Sequence, residues 1–314
     1  MPRSMFPVTT ALLLIISLMI FAHSLYQRIA LLQAAQGQET RSDHLWQRAK
    51  GVITFAFGQK RLFQFDWVSG LAHALIFWGF CVIALRTVTL FCVGFNEEFV
   101  FWGMHGWFGR VYDVTLNVFL LLVVLACCYA LYRRLITRPA RLTLSIEANL
   151  ILFMIILLCV SDVLFEATGY AQGQDLHATA FLSFWVGLGL THLSLVQLAV
   201  IESASYLTHI FLILVFLNVL PFTKHFHIIT AIPNVFLRNL RPAGEVKSIN
   251  LLDESATTFG VDKIEQFTWK QYLNWYSCTE CGRCSQQCPA TNSEKLLDPK
   301  KLTIKLRDKL YGLD

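Results

Sequence analysis

The chain has 314 residues, of which 55% are hydrophobic and 15% are charged, and its mean hydropathy is +0.52. Soluble domains carry about 25% charged residues, so this composition excludes a soluble globular protein, a disordered chain and a small disulfide-stapled secreted domain. The formal net charge is only +5, and no basic run indicates nucleic acid as a partner. The sequence predicts an integral membrane protein of the all-α class.

Five apolar stretches are long enough to cross ~30 Å of hydrocarbon, which takes about 20 helical residues. They lie at 7–31, 67–93, 113–132, 148–167 and 203–223. The first is not interpreted as a signal peptide, because its apolar run continues to Leu32 without a small-residue cleavage site. A sixth stretch, 178–200, is interrupted by glycines, and we expect a helix on the outer face there. These features predict a five-span helical bundle with one outer-face helix.

Basic residues set the predicted orientation. They are concentrated in the loops 33–66 and 133–147, whereas the loops 94–112 and 168–177 hold almost none. Under the positive-inside rule the two basic loops face the cytoplasm and the N-terminus lies outside. Basic residues also follow residue 223, so the C-terminal part is expected on the cytoplasmic side. The prediction is a multi-pass protein of the cytoplasmic (inner) membrane, embedded in the lipid bilayer.

The composition turns polar after Pro233, which predicts three parts. A membrane domain covers 1–233, a linker covers 234–265, and a small α-helical ferredoxin-like domain covers 266–314. The last part begins with the aromatic stretch FTWKQYLNWY, which is expected to be helical. It ends with the amphipathic helix PKKLTIKLRDKLYGL.

The nine cysteines fall into two groups. Five lie in apolar runs, where cysteine usually acts as a small hydrophobic residue: Cys81, Cys92, Cys127, Cys128 and Cys159. The other four have the C-x2-C-x2-C-x3-C-P spacing of bacterial ferredoxins: Cys278, Cys281, Cys284 and Cys288. In such a run thiolates hold iron while peptide N–H groups point at the sulfurs, so we predict a [4Fe–4S] cluster and a reducing compartment. Zinc is the less favoured alternative, because its sites usually use two separated C-x2-C pairs.

The fourth cysteine of the run leaves a question open. In two-cluster ferredoxins this cysteine binds the other cluster, whose own run supplies the missing ligand. No second run occurs before Asp314. Three explanations stay open: the sequence stops before its partner run, a second iron–sulfur or cysteine-rich subunit supplies it, or this run holds one cluster alone. The predicted ferredoxin-type domain is therefore expected to be incomplete.

Histidines inside or beside spans indicate functional sites by default. His209 and His227 are 18 residues apart, which on one continuous helix puts them on the same face about 27 Å apart. His73 lies at the cytoplasmic start of the second span, at the expected depth of His227. A haem between His73 and His227 fits this geometry. The alternative is that these histidines bind neighbouring backbone or the lipid interface.

A resemblance to a known family rests on three segments: GLAHALIFWGF (70–80), YRRLITRPARLTLSIEANLILF (132–153) and LTHIFLILVFLNVLPFTKHFHIITAIPNVFL (207–237). They resemble the cytochrome b subunit (gamma) of respiratory nitrate reductase and the membrane subunit of heterodisulfide reductase. With the cysteine run attached, the chain resembles the N-terminal half of fused membrane-bound iron–sulfur oxidoreductases of the electron-transfer-flavoprotein:menaquinone type. The resemblance covers about residues 60–314.

The resemblance implies ligands for haem b. His73 and His227 match the axial pair of the haem nearer the cytoplasm, and His209 matches one ligand of a haem nearer the outer face. The partner expected for His209 falls near Ile83, which cannot bind iron, so one or two haems are expected. Three histidines could substitute from the outer segment: His105, His177 and His192.

Three charged residues inside the predicted spans have two interpretations each. Arg86 either neutralises a haem propionate or extends to the headgroups, which is commoner near a helix end. Asp162 and Glu166 either pass protons to a quinone or lie among the outer headgroups, and we favour the headgroups. No nucleophile, acid–base pair or nucleotide-binding loop is visible, so no catalytic side chain is predicted.

The predicted function is a quinone-linked iron–sulfur oxidoreductase. A soluble cytoplasmic donor would reduce the cluster, and electrons would pass through b haem to a quinone. The resemblance implies reduced electron-transfer flavoprotein as the donor and menaquinone as the substrate. Two alternatives stay open: a membrane subunit of a heterodisulfide or sulfur-metabolism reductase, and a membrane anchor that docks a separate catalytic subunit.

Overall fold

The computed structural model describes residues 6–37, 39–64, 66–96, 98–104, 106–174, 179–242, 245, 252, 254 and 260–313. The predictions made for His105 and His177 lie outside the described residues. Within them the chain forms thirteen α-helices, and the only β-type pairing is an isolated bridge between Gly37 and Thr268. The all-α class is therefore confirmed.

The helices follow one another with short turns. In chain order they are α1 (Phe6–Ala34), α2 (Leu45–Gly51), α3 (Lys60–Phe63), α4 (Trp67–Val93), α5 (Trp107–Tyr132), α6 (Ile146–Ala171), α7 (Phe181–Leu190), α8 (Leu195–Val219), α9 (His227–Phe236), α10 (Trp269–Tyr276), α11 (Arg283–Gln286), α12 (Pro289–Asn292) and α13 (Pro299–Tyr311). Single π-helical turns at Val52–Phe57 and Arg133–Thr137 extend α2 and α5.

Five of the described helices are long and apolar enough to cross a membrane: α1, α4, α5, α6 and α8. The chain is thus a multi-pass membrane protein. The second span agrees with its predicted bounds, because the Asp66 carboxylate accepts the Ser69 N–H (3.1 Å) and caps α4 at the predicted start. The third and fourth spans are longer than predicted, and the fifth begins at Leu195 instead of residue 203.

The sixth apolar stretch does not form one helix over 178–200. Its helix, α7, has ten residues and is about 15 Å long, which is too short to cross a bilayer. A turn follows over residues 191–194, and residues from Leu195 onward already belong to α8. The prediction that this stretch is not a span is confirmed, but the expected outer helix was too long at its C-terminal end.

The break between α8 and α9 contradicts the geometry inferred for His209 and His227. Helix α8 ends at Val219, and two 3₁₀ turns, Leu220–Phe222 and Lys224–Phe226, precede α9. Pro221 contributes to the break because proline has no N–H to donate and fits only the first turn of a helix. His209 and His227 therefore do not lie on one continuous helix, and the shared face inferred from their spacing was wrong.

The chain divides into two compact units. The first comprises Met1–Phe21, Leu62–Pro139 and Leu144–Asn218. Its buried core has two clusters, which include Cys127 and Cys159, so these cysteines act as small hydrophobic residues as predicted.

The second compact unit comprises Ala22–Arg61, Ala140–Thr143 and Val219–Asp314. Its core is mostly aromatic: Ala35, Phe226, Tyr272, Trp275, Tyr276 and Leu310 are buried together. The two expected C-terminal helices are confirmed as α10 and α13. The division into a membrane domain, a linker and an iron–sulfur domain stays a prediction.

Candidate functional site

The four cysteines of the run lie in the second unit, between the end of α10 and the start of α12. Cys278 follows α10 after a single residue, Cys284 lies within α11, and Cys288 precedes α12, whose first residue is Pro289. Cys284 is exposed, and the other three thiols are partly buried. Pro289 thus has a structural role here, because it starts a helix directly after the fourth cysteine.

The loop between Cys278 and α11 needs unusual backbone angles. Glu280 and Gly282 both have positive φ, at 57° and 72°. A side chain at residue 282 would collide with the carbonyl oxygen of Arg141 as well. Glycine is therefore required at this position for two reasons, its backbone angle and its lack of a Cβ.

Backbone N–H groups surround two of the four thiols. The N–H of Glu280 donates to Cys278, and the N–H groups of Ala290 and Thr291 donate to Cys288. These bonds lower the pKa of the Cys288 thiol, whereas burial raises the pKa of Cys278. N–H donors directed at cysteine sulfur are what an iron–sulfur cluster requires of its loop, so the donor chemistry fits.

The four thiols do not converge on one point. In the part of the chain that the structure describes, no three His, Cys, Asp or Glu side chains are close enough to hold a single metal ion. A structural zinc ion and an iron–sulfur cubane both need four ligands around one centre, so this arrangement does not distinguish between them. The fit to an iron–sulfur cluster rests on the four thiols and their N–H donors, and the ligand assignment stays a prediction.

An ion-pair cluster anchors the loop that contains the first cysteines. The Glu280 carboxylate lies 2.8 Å from Arg307 of α13 and 3.6 Å from Lys224, and all three side chains are mostly buried. Burial alone would raise the pKa of Glu280, but the hydrogen bond from Arg307 and the two positive charges hold it below its usual value. Sequence reasoning missed this cluster because its members are far apart in the chain.

A second contact anchors the same segment at α11. The Asp298 carboxylate caps α13 by accepting the N–H groups of Lys300 and Lys301, and it also accepts the hydroxyl of Ser285. The Lys300 ammonium then donates to the carbonyl of Arg141 (3.0 Å). The capping aspartate before a proline was visible in the sequence, but its bond to the cysteine segment was not.

His227 is oriented like a metal-binding histidine. It is the first residue of α9, and its Nδ1 donates to the carbonyl of Lys224 at 2.8 Å. A backbone carbonyl at Nδ1 makes Nε2 the lone-pair nitrogen, as in most iron- or zinc-binding histidines. Burial lowers the pKa of His227, which favours the neutral ring. His73 lies in α4, in the other compact unit, and the pairing of these two histidines stays a prediction.

His209 is enclosed by hydroxyl groups. It is 1% exposed, its Nδ1 lies 3.3 Å from the Ser161 hydroxyl, and its Nε2 lies 3.4 Å from the Thr87 hydroxyl. For His209 to bind iron through Nε2, Thr87 would have to give way while Ser161 held the other nitrogen. His192 lies in the turn between α7 and α8, and its proposed role as a substitute ligand is untested.

Three charged side chains of the spanning helices form an intramembrane ion cluster, defined by Arg86, Asp162 and Glu166. The Arg86 guanidinium lies 2.9 Å from Asp162 and 3.6 Å from Glu166. Glu166 also accepts the hydroxyl of Ser183 from α7 at 2.7 Å. Asp162 is only 2% exposed and both carboxylates contact Arg86, so they belong to an interhelical ion cluster, and their depth relative to the headgroups stays a prediction. Arg86 contacts them instead of extending outward.

Comparison with known proteins identified relatives over nearly the whole chain. It is 30% identical to the "Probable iron-sulfur-binding oxidoreductase FadF" of Bacillus subtilis, over 97% of this chain and 43% of that protein. It is 26% identical to the "EtfAB:quinone oxidoreductase" of Syntrophomonas wolfei, over 92% of this chain and 41% of that protein. The chain is similar to iron–sulfur oxidoreductases. It spans less than half the length of these two relatives.

A third relative matches a shorter part of the chain. The "Probable membrane-anchored ferredoxin" of Chromohalobacter salexigens is 39% identical over 22% of this chain and 11% of that protein. No protein-family model and no solved structure matches the chain. The relatives support the prediction of a membrane-bound iron–sulfur oxidoreductase. They do not test the nitrate-reductase-like cytochrome b domain, the haem or menaquinone, which stay predictions.

Proposed function

We propose that the chain is the membrane and iron–sulfur part of an oxidoreductase that passes electrons from a cytoplasmic donor to menaquinone. The proposed donor is reduced electron-transfer flavoprotein, and the proposed carriers are one [4Fe–4S] cluster and b haem. In this proposal the cysteine run faces the cytoplasm, as the distribution of basic loops predicts. The reaction moves two electrons from a flavin hydroquinone to a quinone, which also takes up two protons to form the quinol.

One observation carries the proposal. The same chain contains five membrane-spanning helices and a four-cysteine ferredoxin run in which Cys278 and Cys288 receive backbone N–H groups. Relatives that match nearly all of it are named as iron–sulfur and quinone oxidoreductases. A membrane domain joined to such a run is what electron transfer between a soluble protein and a lipid-soluble quinone requires.

The roles of the side chains follow from their chemistry. Cys278, Cys281, Cys284 and Cys288 would hold the cluster, and His73 and His227 would hold the haem. When bound, these groups supply one-electron carriers whose potentials depend on ligands, burial and hydrogen bonds. The Lys224 carbonyl would keep the His227 ring in the required orientation.

The intramembrane ion cluster is the proposed source of protons for the quinone. Two carboxylates share one guanidinium, so the cluster carries an excess negative charge when both are ionised. An unbalanced charge in a spanning segment is costly, and a bound proton removes it. Asp162 or Glu166 can therefore hold a proton and release it toward a quinone.

The test is an optical spectrum of the purified protein in detergent. We expect the dithionite-reduced minus oxidised spectrum to show a sharp b-type α-band that disappears in His73→Ala. Haem content per chain decides between one and two haems, and iron with acid-labile sulfide tests the cluster, which we expect to be lost in Cys281→Ser. A colourless protein, or an α-band that is unchanged in His73→Ala, would refute the proposed electron path.

A second candidate is a membrane anchor whose cluster serves a separate catalytic subunit. The short match to a membrane-anchored ferredoxin favours it. The two candidates differ in their reaction with a quinone. Under the first, the reduced chain reoxidises when a soluble menaquinone analogue is added, and this step slows in Asp162→Asn. Under the second, the cluster binds iron but the analogue has no effect on its redox state.

A further inference from the structure

The second compact unit contains a cavity of about 330 Å³ that the proposed electron path does not use. Its size is within the range of small-ligand sites, which is about 300–1,000 Å³. Among the residues that the structure describes, four of the lining side chains are cationic, three are amides and two are apolar, and none of these nine is acidic. They are Arg41, Arg61, Arg238, Lys270, Asn234, Asn239, Asn274, Phe55 and Val235. This composition indicates an anion as the ligand.

Lys270 is held at the cavity by neutral groups. It is 5% exposed, and its ammonium donates to the side-chain oxygens of Asn234 and Asn274. A buried lysine normally pairs with a carboxylate, because leaving its charge uncompensated is costly. Here two amides orient the ammonium, and a negative charge in the cavity would compensate it.

Arg41 has a buried donor without an acceptor. Its terminal nitrogens bind Glu39 (2.8 Å) and the side chain of Asn239 (3.4 Å). Its Nε is buried and has no hydrogen-bond partner among the described residues. Leaving such a buried donor unsatisfied is unfavourable, so an oxygen supplied by a ligand would stabilise this wall of the cavity.

Two further guanidinium groups flank an aromatic ring in the cavity. Arg61 and Arg238 lie 4.9 Å and 5.4 Å from the centre of the Phe55 ring. The Arg238 side chain passes over Gly51, where any Cβ would collide with it. Burial and the like charges of Arg48 and Arg61 lower the pKa of Arg238, as expected where cations are crowded. An anion between them would relieve this repulsion.

We propose that this cavity binds a phosphate group. Guanidinium forks, an ammonium and amide donors around one space match the oxygens of a phosphate. The positive-inside rule accounts for arginines in loops beside spans, but it does not account for Lys270, which comes from α10 and points into the same cavity. The phosphate can belong to an anionic phospholipid headgroup or to a soluble compound, since both present the same oxygens.

The test uses the full chain and two probes. Inorganic phosphate is titrated into delipidated protein in detergent at constant ionic strength, with chloride as the comparison anion, while thermal unfolding is followed. In parallel, native mass spectrometry counts the phosphatidylglycerol and phosphatidylcholine retained from mixed vesicles. If phosphate stabilises the protein and chloride does not, the phosphate group comes from a soluble compound. If phosphatidylglycerol is retained selectively over phosphatidylcholine, the phosphate group comes from a lipid headgroup.

Arg41→Gln is expected to weaken binding of the probe that binds the native chain about tenfold or more, because it removes a charged hydrogen-bond donor from the cavity. Arg241→Gln is the matched control, since it removes the same charge from an exposed residue outside the cavity. Arg61→Gln replaces Arg41→Gln if the latter does not fold. Equal responses to phosphate and chloride, together with equal retention of both lipids, would overturn the proposal, as would equal effects of the cavity and control substitutions.

Discussion

The guanidinium of Arg86 lies 2.9 Å from the carboxylate of Asp162, which joins the second and fourth spanning helices by an ion pair. A single charge at the centre of a spanning helix costs about 2.5–3.5 kcal/mol on insertion scales. Pairing reduces that cost, and Glu166 on the next turn of α6 adds a second acceptor at 3.6 Å. The pair therefore both stabilises the bundle and leaves one carboxylate available for a proton.

The first prediction concerns the stability of this pair. Removing one partner of a buried ion pair leaves an uncompensated charge and costs about 3–5 kcal/mol. Arg86→Gln is expected to show a loss of this size, because two carboxylates then face each other. Asp162→Asn is expected to lose less, because Glu166 still pairs with Arg86. Thermal unfolding in detergent measures both losses.

Two comparisons make this prediction specific. The double substitution Arg86→Gln with Asp162→Asn should cost less than the sum of the single changes, since one carboxylate, Glu166, then remains instead of two that repel each other. Arg110→Gln is the control, because it removes an exposed arginine from another spanning helix. Additive effects of Arg86→Gln and Asp162→Asn would show that the contact contributes nothing to stability.

Span positions could be predicted from the sequence, but contacts between spans could not. The predicted bounds of α4 agree with the structure, because a capping aspartate and a glycine delimit one apolar run. The fifth span was predicted to begin at residue 203, eight residues after the observed start of α8 at Leu195. In the structure Glu202 lies inside α8 and accepts the side-chain amide of Gln172 at 3.0 Å. Burial of a charge depends on a partner that periodicity does not reveal.

In the candidate site, too, local features could be predicted from the sequence but contacts between distant residues could not. The spacing of the cysteines predicts a cluster loop, since it reflects local backbone geometry, and this assignment stays a prediction. The contacts that anchor the loop were not predictable, because Lys224 and Arg307 reach Glu280 from distant parts of the chain. The shared helix face inferred for His209 and His227 was wrong because it assumed a continuous helix through Pro221, whereas the haem ligands stay predictions.

The second prediction concerns the glycine of the cysteine loop. A left-handed backbone costs a residue with a Cβ about 1–2 kcal/mol. Gly282→Ala is expected to destabilise the loop by more than this amount, because the new methyl group also collides with the Arg141 carbonyl. Gly103→Ala is the matched control, since Gly103 also has positive φ (85°) but open space around it. Iron content and the unfolding midpoint are measured for both. Equal losses in the two variants would contradict the role given to the collision.

The third prediction concerns retention of the cluster. Glu280→Gln removes the charge that Arg307 and Lys224 share, so two mostly buried cations are left to repel each other beside Cys281. We expect iron to be lost to a chelator on the order of tenfold faster, which corresponds to about 1.4 kcal/mol. Glu265→Gln, at an exposed position outside this cluster, should leave the rate unchanged. A rate for Glu280→Gln that equals this control would exclude Glu280 as an anchor of the loop.

The last prediction uses the titration of Lys270. Burial, and then the charge of Arg41, lower its pKa from 10.5 to about 8, whereas Glu39 acts in the opposite direction and Arg48 adds to the lowering. Between pH 8 and 10.5 the unfolded chain therefore binds more protons than the folded chain. Stability should rise with pH across this window, because the cost of burying the ammonium disappears. The full shift corresponds to about 3 kcal/mol.

The measurement compares the native chain with Lys270→Met, which lacks this titration, in phosphate-free detergent solution. The difference in unfolding midpoint between the two proteins should change steadily from pH 8 to pH 10.5 and stay constant below pH 8. Saturating phosphate should move this change to higher pH, because an anion in the cavity stabilises the charged lysine. A difference that is independent of pH would mean that Lys270 is solvated in the folded protein, and it would remove the argument that its buried charge needs an anion in the cavity.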